Sequence, residues 1–353
     1  MPATLADYVA ALRTCVPRAL ISDQAMSAIL ELAGTLPPCQ LAGFECRLGR
    51  NQPTVDFQVQ VPRWRFQLSG ESPQSPAWRC LRGFWEEWFD PSSTLHPEVS
   101  AVGLEFDMDR STASGPAIFL ALRNAGADAD LLAAVIGRLA DAANLARTQS
   151  SLRACVAALP NGASIQFIGA MRSRAGGALR VNVSGLPAGQ IPDYLIAAGW
   201  PHPVAPLRPI LIALADRSDD LALCLDITDR LLPRIGIECV LREQPSHEPR
   251  WSQLLAYLTS LGACTIAKAG ALLTWTGDIL EPQAGTRWPA NLFWGDQLLG
   301  TRAVSTFYRY VSHTKVVYQP EQPIEAKAYL GFFHQWLDAA SITSALRPHA
   351  VER

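Results

Sequence analysis

The chain has 353 residues, of which 49% are hydrophobic and 18% charged, below the about 25% charged usual in soluble chains. That composition excludes a disordered chain and favours a large core or an enclosed cavity. Thirty Lys and Arg against 32 Asp and Glu leave a net charge of −2, so no charge excess points to nucleic acid or an anionic membrane as partner.

No apolar run approaches the roughly 18 residues of a membrane span. The opening MPATLADYVAALRTCVPRAL has no charged segment followed by an apolar block, so no signal peptide is expected. The eight cysteines (15, 39, 46, 80, 155, 224, 239 and 264) contain no Cys-x-x-Cys pair and no accompanying histidines at zinc-finger spacing. Cys224 in LALCLDIT and Cys239 in RIGIECVL sit in apolar runs and read as small buried hydrophobes, which implies a reducing, cytoplasmic setting.

In chain order, residues 22–34 read as a helix opened by Ser22-Asp23 and closed by Gly34. Strands follow at 43–49 and 55–61 around Arg50-Asn51-Gln52-Pro53. In the second, Val55, Phe57, Val59 and Val61 alternate with Asp56, Gln58 and Gln60. Residues 76–89 space Trp78, Leu81, Trp85 and Trp88 as one helical stripe. Strand pairs recur at 101–109 with 117–123, 164–171 with 178–185, and 220–228 with 234–241. Residues 128–146 read as the clearest helix, with weaker helical patterns at 190–198, 206–215 and 250–261. The last pair, 313–319 and 324–332, competes with a helix over 325–340, and 278–300 reads as an irregular insertion. No linker separates domains, so 1–353 is taken as one.

Helices between hairpins cover one sheet face, the face of the Val, Leu and Ile stripes. By alternation the opposite face carries Glu45, Arg47, Asp56, Gln58, Gln60, Glu105, Asp107, Arg123, Gln166, Arg180, Asn182, Asp226, Arg234, Glu238 and Lys315. An open sheet with a solvated polar face fits this pattern, and so does a barrel lined by it. Closure is the expectation, because twist curls a sheet of nine or ten strands and closing it removes exposed edges.

The order of elements, αββα repeated over roughly residues 22–340, resembles the ABBA aromatic prenyltransferases, which include fungal indole prenyltransferases and cyanobactin peptide prenyltransferases. The resemblance implies an α+β fold: a roughly ten-stranded antiparallel β-barrel ringed by helices. It also implies a tailoring enzyme that moves a prenyl group from an allylic diphosphate to an aromatic or other nucleophilic acceptor, a small molecule or a peptide. Glu45 in GFECRLG then occupies the place of the glutamate that binds the acceptor's N–H or O–H. Lys315 and Tyr318 in HTKVVYQ, Lys327 and Tyr329 in AKAYL, and Arg180 in LRVNV become candidates for binding the diphosphate and shielding the allyl cation. Where the resemblance implies an arginine on the second strand, this sequence has Asp56.

The residues themselves supply lumen cations in Arg123, Arg180, Arg234 and Lys315, and one inward aromatic, Phe119. Glu105 and Asp107 share a strand face, close enough for like-charge repulsion to raise one pKa and make an acid–base couple, with pairing to an arginine on a neighbouring strand as the competing reading. With Asp226 and Glu238 they also define an acidic lumen, suited to a cationic substrate and other chemistry on the same barrel. A non-catalytic peptide-binding or scaffold protein is the third reading, with a sheet edge adding a partner strand.

Asp107-Met108-Asp109 matches a loose metal–nucleotide pattern, but a strand end running into a polar turn accounts for it. The six histidines form no metal-ligand pair; His313, just ahead of Lys315, reads as a strand-edge loop histidine and is the one to test for chemistry. No resident metal or cofactor is expected, with Mg2+ admissible beside a bound diphosphate. No Gly-x-Gly-x-x-Gly, Walker loop or Gly-x-Ser-x-Gly elbow occurs.

Overall fold

Alternation of apolar and polar residues builds strands whose two faces have different fates, and hairpins tie those strands into a ring. The computed structural model describes residues 3–39, 41–61, 76–109, 115–126, 128–140, 142–172, 177–281, 288–300 and 303–338. Helices α1 (Leu5–Leu12) and α2 (Asp23–Ala33) lead into strands β1 (Leu41–Arg47) and β2 (Val55–Val61). Next come α3 (Pro76–Phe89), α4 (Leu95–Glu98), β3 (Val99–Phe106) and β4 (Ala117–Gly126). Then follow α5 (Ala129–Ile136), α6 (Ala142–Ala157), β5 (Ser164–Ala170), β6 (Leu179–Ser184), α7 (Ile191–Ala197) and α8 (Arg208–Ala215). The chain ends through β7 (Asp220–Ile227), β8 (Leu231–Val240), α9 (Arg250–Ser260), α10 (Ile266–Leu273), β9 (Gly277–Leu280), α11 (Ala290–Leu299), β10 (Ala303–Tyr318) and β11 (Glu325–Asp338).

Each strand pairs antiparallel with its sequence neighbour from β1 to β8; β8 pairs with β10, β10 with β11, and β11 returns to β1. Ten strands thus close a barrel, and β9 lies outside the ring on the first half of β10. Among the described residues each ring strand is paired on both sides, and β9 is left as the edge strand of the sheet.

The outward stripes make the core with the helices. Phe57, Phe106, Val181, Leu225, Ile237 and Val316, each the neighbour of a polar lumen residue, are all buried in it. Phe44 packs on Phe57, Phe332 and Trp275 with ring centroids 5.6–6.0 Å apart. Two buried tryptophans satisfy their indole N–H groups on backbone: Trp88 donates to Val99 O at 2.9 Å and Trp275 to Tyr310 O at 3.0 Å. Truncating Trp88 to alanine would cost about 3–5 kcal/mol. The stripe of α3 lies against the barrel as its spacing implied.

Four stretches depart from expectation. The helix read over 128–146 is two helices, because α5 ends at Gly137; a Cβ there would meet Ala133 O at 2.9 Å and Leu145 Cδ2 at 3.0 Å. Strand β10 begins ten residues before the expected 313, through the aromatic alternation of Thr306–Val311. The helix competing over 325–340 is instead β11 as far as Asp338, with 339–340 outside the described residues. Its backbone has partners on both sides, β1 and β10, which overrides the helix-forming Ala, Lys and Leu residues. The insertion 278–300 contributes β9 and α11, with 282–287 outside the described residues. Helices α1, α4 and α10 carry no counterpart in the sequence reading.

Candidate functional site

Inside the ring the polar stripes line two cavities that meet. One, of about 470 Å³, is polar and lies at the end of the barrel formed by the β1–β2 turn and the start of β11. The other, of about 330 Å³, is bounded mainly by apolar and aromatic groups. Arg180, Cys224, Lys315 and Tyr329 line both and form the boundary.

Small residues make room in the apolar chamber, among them Ala42, Gly43, Ala101, Gly103 and Gly331. Two glycines seat its aromatic walls. Gly331 pairs with Tyr310 across β10 and β11, and a Cβ at 331 would fall within the Tyr310 ring. Gly169 pairs with Phe119, and its Cβ would come within 2.8 Å of that ring. Phe167 joins the same wall.

The polar chamber gathers Arg47, Arg180, Arg234, Lys315 and Lys327, each engaged by a carboxylate. Arg180 makes a two-pronged pair with Asp226 (Nε–Oδ1 2.7 Å, Nη2–Oδ2 2.9 Å). Arg234 pairs with Glu325 at 2.6 Å at the half-exposed rim, and Arg47 reaches both Asp56 and Asp109 at 3.4 Å. The position of Arg47 is fixed from outside the barrel. Lys268 of α10 donates to the carbonyls of Arg47, Gly49 and Gln52 at 2.6, 3.1 and 2.8 Å, gripping the β1–β2 turn.

Glu238 is the hub of the boundary. It accepts from Lys315 at 2.8 Å, Asn182 at 2.7 Å and Cys224 at 3.0 Å, and His313 Nε2 stands 3.6 Å from Oε1. Burial alone would raise its pKa, but above all the Lys315 ammonium, with the Cys224 hydrogen bond, holds it well below the usual carboxylate range. Burial pushes the Cys224 thiol up to about 12, so it stays protonated. Lys315 also lies 4.9 Å over the Tyr329 ring.

Glu45 sits one layer behind the lining, buried, with one oxygen on Lys327 and the other accepting from the Tyr329 hydroxyl at 2.5 Å. Burial works against its charge, yet Lys327, Lys315 and these hydrogen bonds keep it below the ordinary range. Burial and the adjacent Glu45 carboxylate push Asp56 the other way, to about 7, against the pull of Arg47 and the Met108 N–H. Two cross-strand neighbours thus sit at opposite ends of the carboxylate scale.

Of the residues singled out from sequence, Glu105, Asp107, Arg180, Asp226, Arg234, Glu238, Lys315, Lys327 and Tyr329 line the two cavities, while Glu45 and Asp56 lie directly behind them. Glu105 accepts from Gln58 at 2.8 Å. Two residues fall elsewhere. Arg123 is exposed and donates to Pro97 O at 3.0 Å, because the β4–β5 register shifts after Ala121 and breaks the alternation that placed it inward. Tyr318 lies on the outer face beside Trp200, ring centroids 6.3 Å apart, since it is three residues from Lys315 and a strand repeats every two.

Gln166 is likewise displaced: a bulge in β5 turns it out and brings Phe167 in. Tyr310, Ser312 and Cys224 join the lining without having been singled out. Their signals were an unread strand, a bulge and a residue type that is ordinarily core.

No family model matches the sequence, and no curated protein matches it. Among solved structures it is similar to PriB in complex with the product diphosphate, at 16% identity and TM-score 0.54, over 93% of this chain and 96% of that one. The ternary complex of PriB with L-tryptophan and dimethylallyl thiolodiphosphate gives 16% and 0.53 over the same shares. The fold is the ABBA prenyltransferase barrel. A third structure of that fold, 6-dimethylallyltryptophan synthase from Micromonospora olivasterospora, aligns at 11% identity and TM-score 0.54, over 92% of this chain and 96% of its own.

Among the described residues no helix is long and apolar enough to cross a membrane. All eight cysteines are free thiols. No three His, Cys, Asp or Glu side chains among the described residues converge as a metal-holding group, Asp107 and Asp109 included.

Proposed function

We propose that this barrel is a prenyltransferase that moves an allylic group from its diphosphate to an aromatic acceptor. The observation that carries the reading is the division of one lumen into a cation-bearing polar chamber and an aromatic-walled apolar chamber, joined at Arg180, Lys315 and Tyr329. Arg180 and Lys315 receive the diphosphate and stabilise the charge that grows on its oxygens as the C1–O bond breaks. The Tyr329, Phe119 and Tyr310 rings face the allyl cation, whose charge a π-face stabilises by about 0.5–2 kcal/mol. The closed wall keeps out water, the competing nucleophile. Glu45 acts through Tyr329 and Lys327 as a positioning residue: it fixes the phenol and the ammonium at the boundary.

A diphosphate entering this chamber competes with carboxylates already on every cation named, so donor binding reorganises these pairs. That same feature favours a second reading. The two cavities carry six carboxylates against five cations, and Glu45 and Asp56 stand behind them, which suits an acceptor bearing positive charge.

Incubation with dimethylallyl diphosphate and either L-tryptophan or arginine methyl ester, read by mass spectrometry for the prenyl adduct, separates the two. The double variant Arg180→Gln, Asp226→Asn leaves no buried orphan charge and should weaken inorganic diphosphate binding about 10- to 150-fold, with acceptor binding little changed. A wild-type chain that neither binds diphosphate nor releases it from the donor refutes both readings.

A further inference from the structure

We infer that His313 is the base that removes the acceptor's proton, backed by Glu238; the inference rests on the transferase reading above. The register of β10 against β11 shifts between Val311 and His313, so two consecutive residues, Ser312 and His313, both line the apolar chamber. The imidazole is stacked on Tyr329 at 4.1 Å and 17°, which fixes its plane. Its Nε2 is buried without a hydrogen-bond partner, 3.6 Å from Glu238 Oε1. Its Nδ1 lies 3.0 Å from the Ser312 hydroxyl.

The tautomer follows from the neighbours. Glu238 is ionised, and a lone pair on Nε2 would face that carboxylate, so the neutral ring carries its proton on Nε2 and its lone pair on Nδ1. The other titratable groups lining this chamber are committed elsewhere. Burial holds the Cys224 thiol protonated, and burial with the Glu45 charge does the same for the Tyr329 phenol. Burial likewise holds the Tyr310 phenol protonated, Arg180 is paired with Asp226, Lys315 is engaged by Glu238, and Glu105 accepts from Gln58.

The chemistry balances as a substitution. The allylic C1–O bond breaks and its electron pair leaves with the diphosphate. A π pair of the acceptor ring forms the new bond to C1. The C–H pair at the attacked carbon returns to the ring as its proton moves to Nδ1, directly or through the Ser312 hydroxyl. The imidazolium so formed faces Glu238, and the net change is one prenyl group for one proton.

Two measurements on the full chain test this. Nitrogen-15 NMR of the histidine rings, with His313 assigned by its loss in His313→Gln, should show the Nε2–H tautomer and a shift of Nδ1 when indole is added as probe. The opposite tautomer, or a ring indifferent to indole, overturns the inference whether or not the protein turns over any donor. With dimethylallyl diphosphate and indole, His313→Gln should still release diphosphate, the allyl group then being captured by water as dimethylallyl alcohol, but lose prenylated indole at least about 100-fold, with partial rescue by added imidazole. Parallel loss of both activities, or undiminished product, overturns it; His313→Asn substitutes if the glutamine variant does not fold. Failure of the wild type to release diphosphate counts instead against the transferase reading, and the NMR result still decides the role of His313.

Discussion

Glu45→Gln probes the buried layer that holds the chamber boundary. Glu45 is 1% exposed, with Lys327 on one oxygen and the Tyr329 hydroxyl on the other. Glutamine keeps an acceptor for the phenol but leaves the Lys327 ammonium, on a side chain only 12% exposed, without its anion. Breaking a buried pair in this way costs about 3–5 kcal/mol. For a chain of this length, with an unfolding entropy of about 2.1 cal/mol/K per residue, that corresponds to a drop of about 4–7 °C in melting temperature.

The pH dependence has a definite sign. The folded pKa of Glu45 is depressed, so its contribution is present above the ordinary carboxylate value, about 4.3, and fades as pH falls towards the folded one. The gap between variant and wild type should therefore narrow in acid. Adding Lys327→Met should recover most of the loss, because the double variant buries no lone charge. Thermal melts of the four proteins at pH 7 and pH 4 complete the test. A single variant that melts within a degree of wild type, or a double variant less stable than Glu45→Gln, refutes the buried-pair account.

Asp56 has the opposite sign. Its folded pKa of about 7 lies above its ordinary 3.8, so its contribution is full below about pH 4 and lost as pH rises through 7, at most about 4 kcal/mol. Asp56→Asn should flatten the fall in melting temperature between pH 5 and pH 8 and raise it at pH 8; an unchanged slope would assign the effect to other groups. Gly331→Ala should force the Tyr310 ring from the chamber wall, costing about 1–3 kcal/mol and changing the near-ultraviolet circular dichroism. An unaltered spectrum would show that the ring is not seated on this glycine.

The barrel was legible because period-two alternation survives in most strands: Val55 to Val61, Leu179 to Val183 and Leu221 to Leu225 each present one apolar face, and antiparallel hairpins carry that face around the ring. Alternation fails where a strand bulges, and a residue-by-residue pattern contains no count of extra residues. Arg123 and Gln166 were lost to such shifts in β4 and β5, and Phe167 and Ser312 were gained. The candidate cations were legible as types and faces, but their partners were not. Which carboxylate reaches Arg180 depends on the β6–β7 register that sets Asp226 opposite it, and which reaches Lys327 on a contact between residues 282 positions apart. Tyr310 was hidden because its strand begins in a stretch with mixed helix and strand preference, settled by pairing with β11.

The central claim is that one end of the lumen holds the diphosphate and the other the carbon chain. A crystal structure with dimethylallyl thiolodiphosphate, which does not ionise readily, tests it most directly. The diphosphate should lie against Arg180 and Lys315 with the allyl group pointing towards Tyr329, Phe119 and Tyr310. A ligand bound in reverse, or outside the barrel while a cationic compound occupies the chamber beside Glu105 and Glu238, would contradict the account.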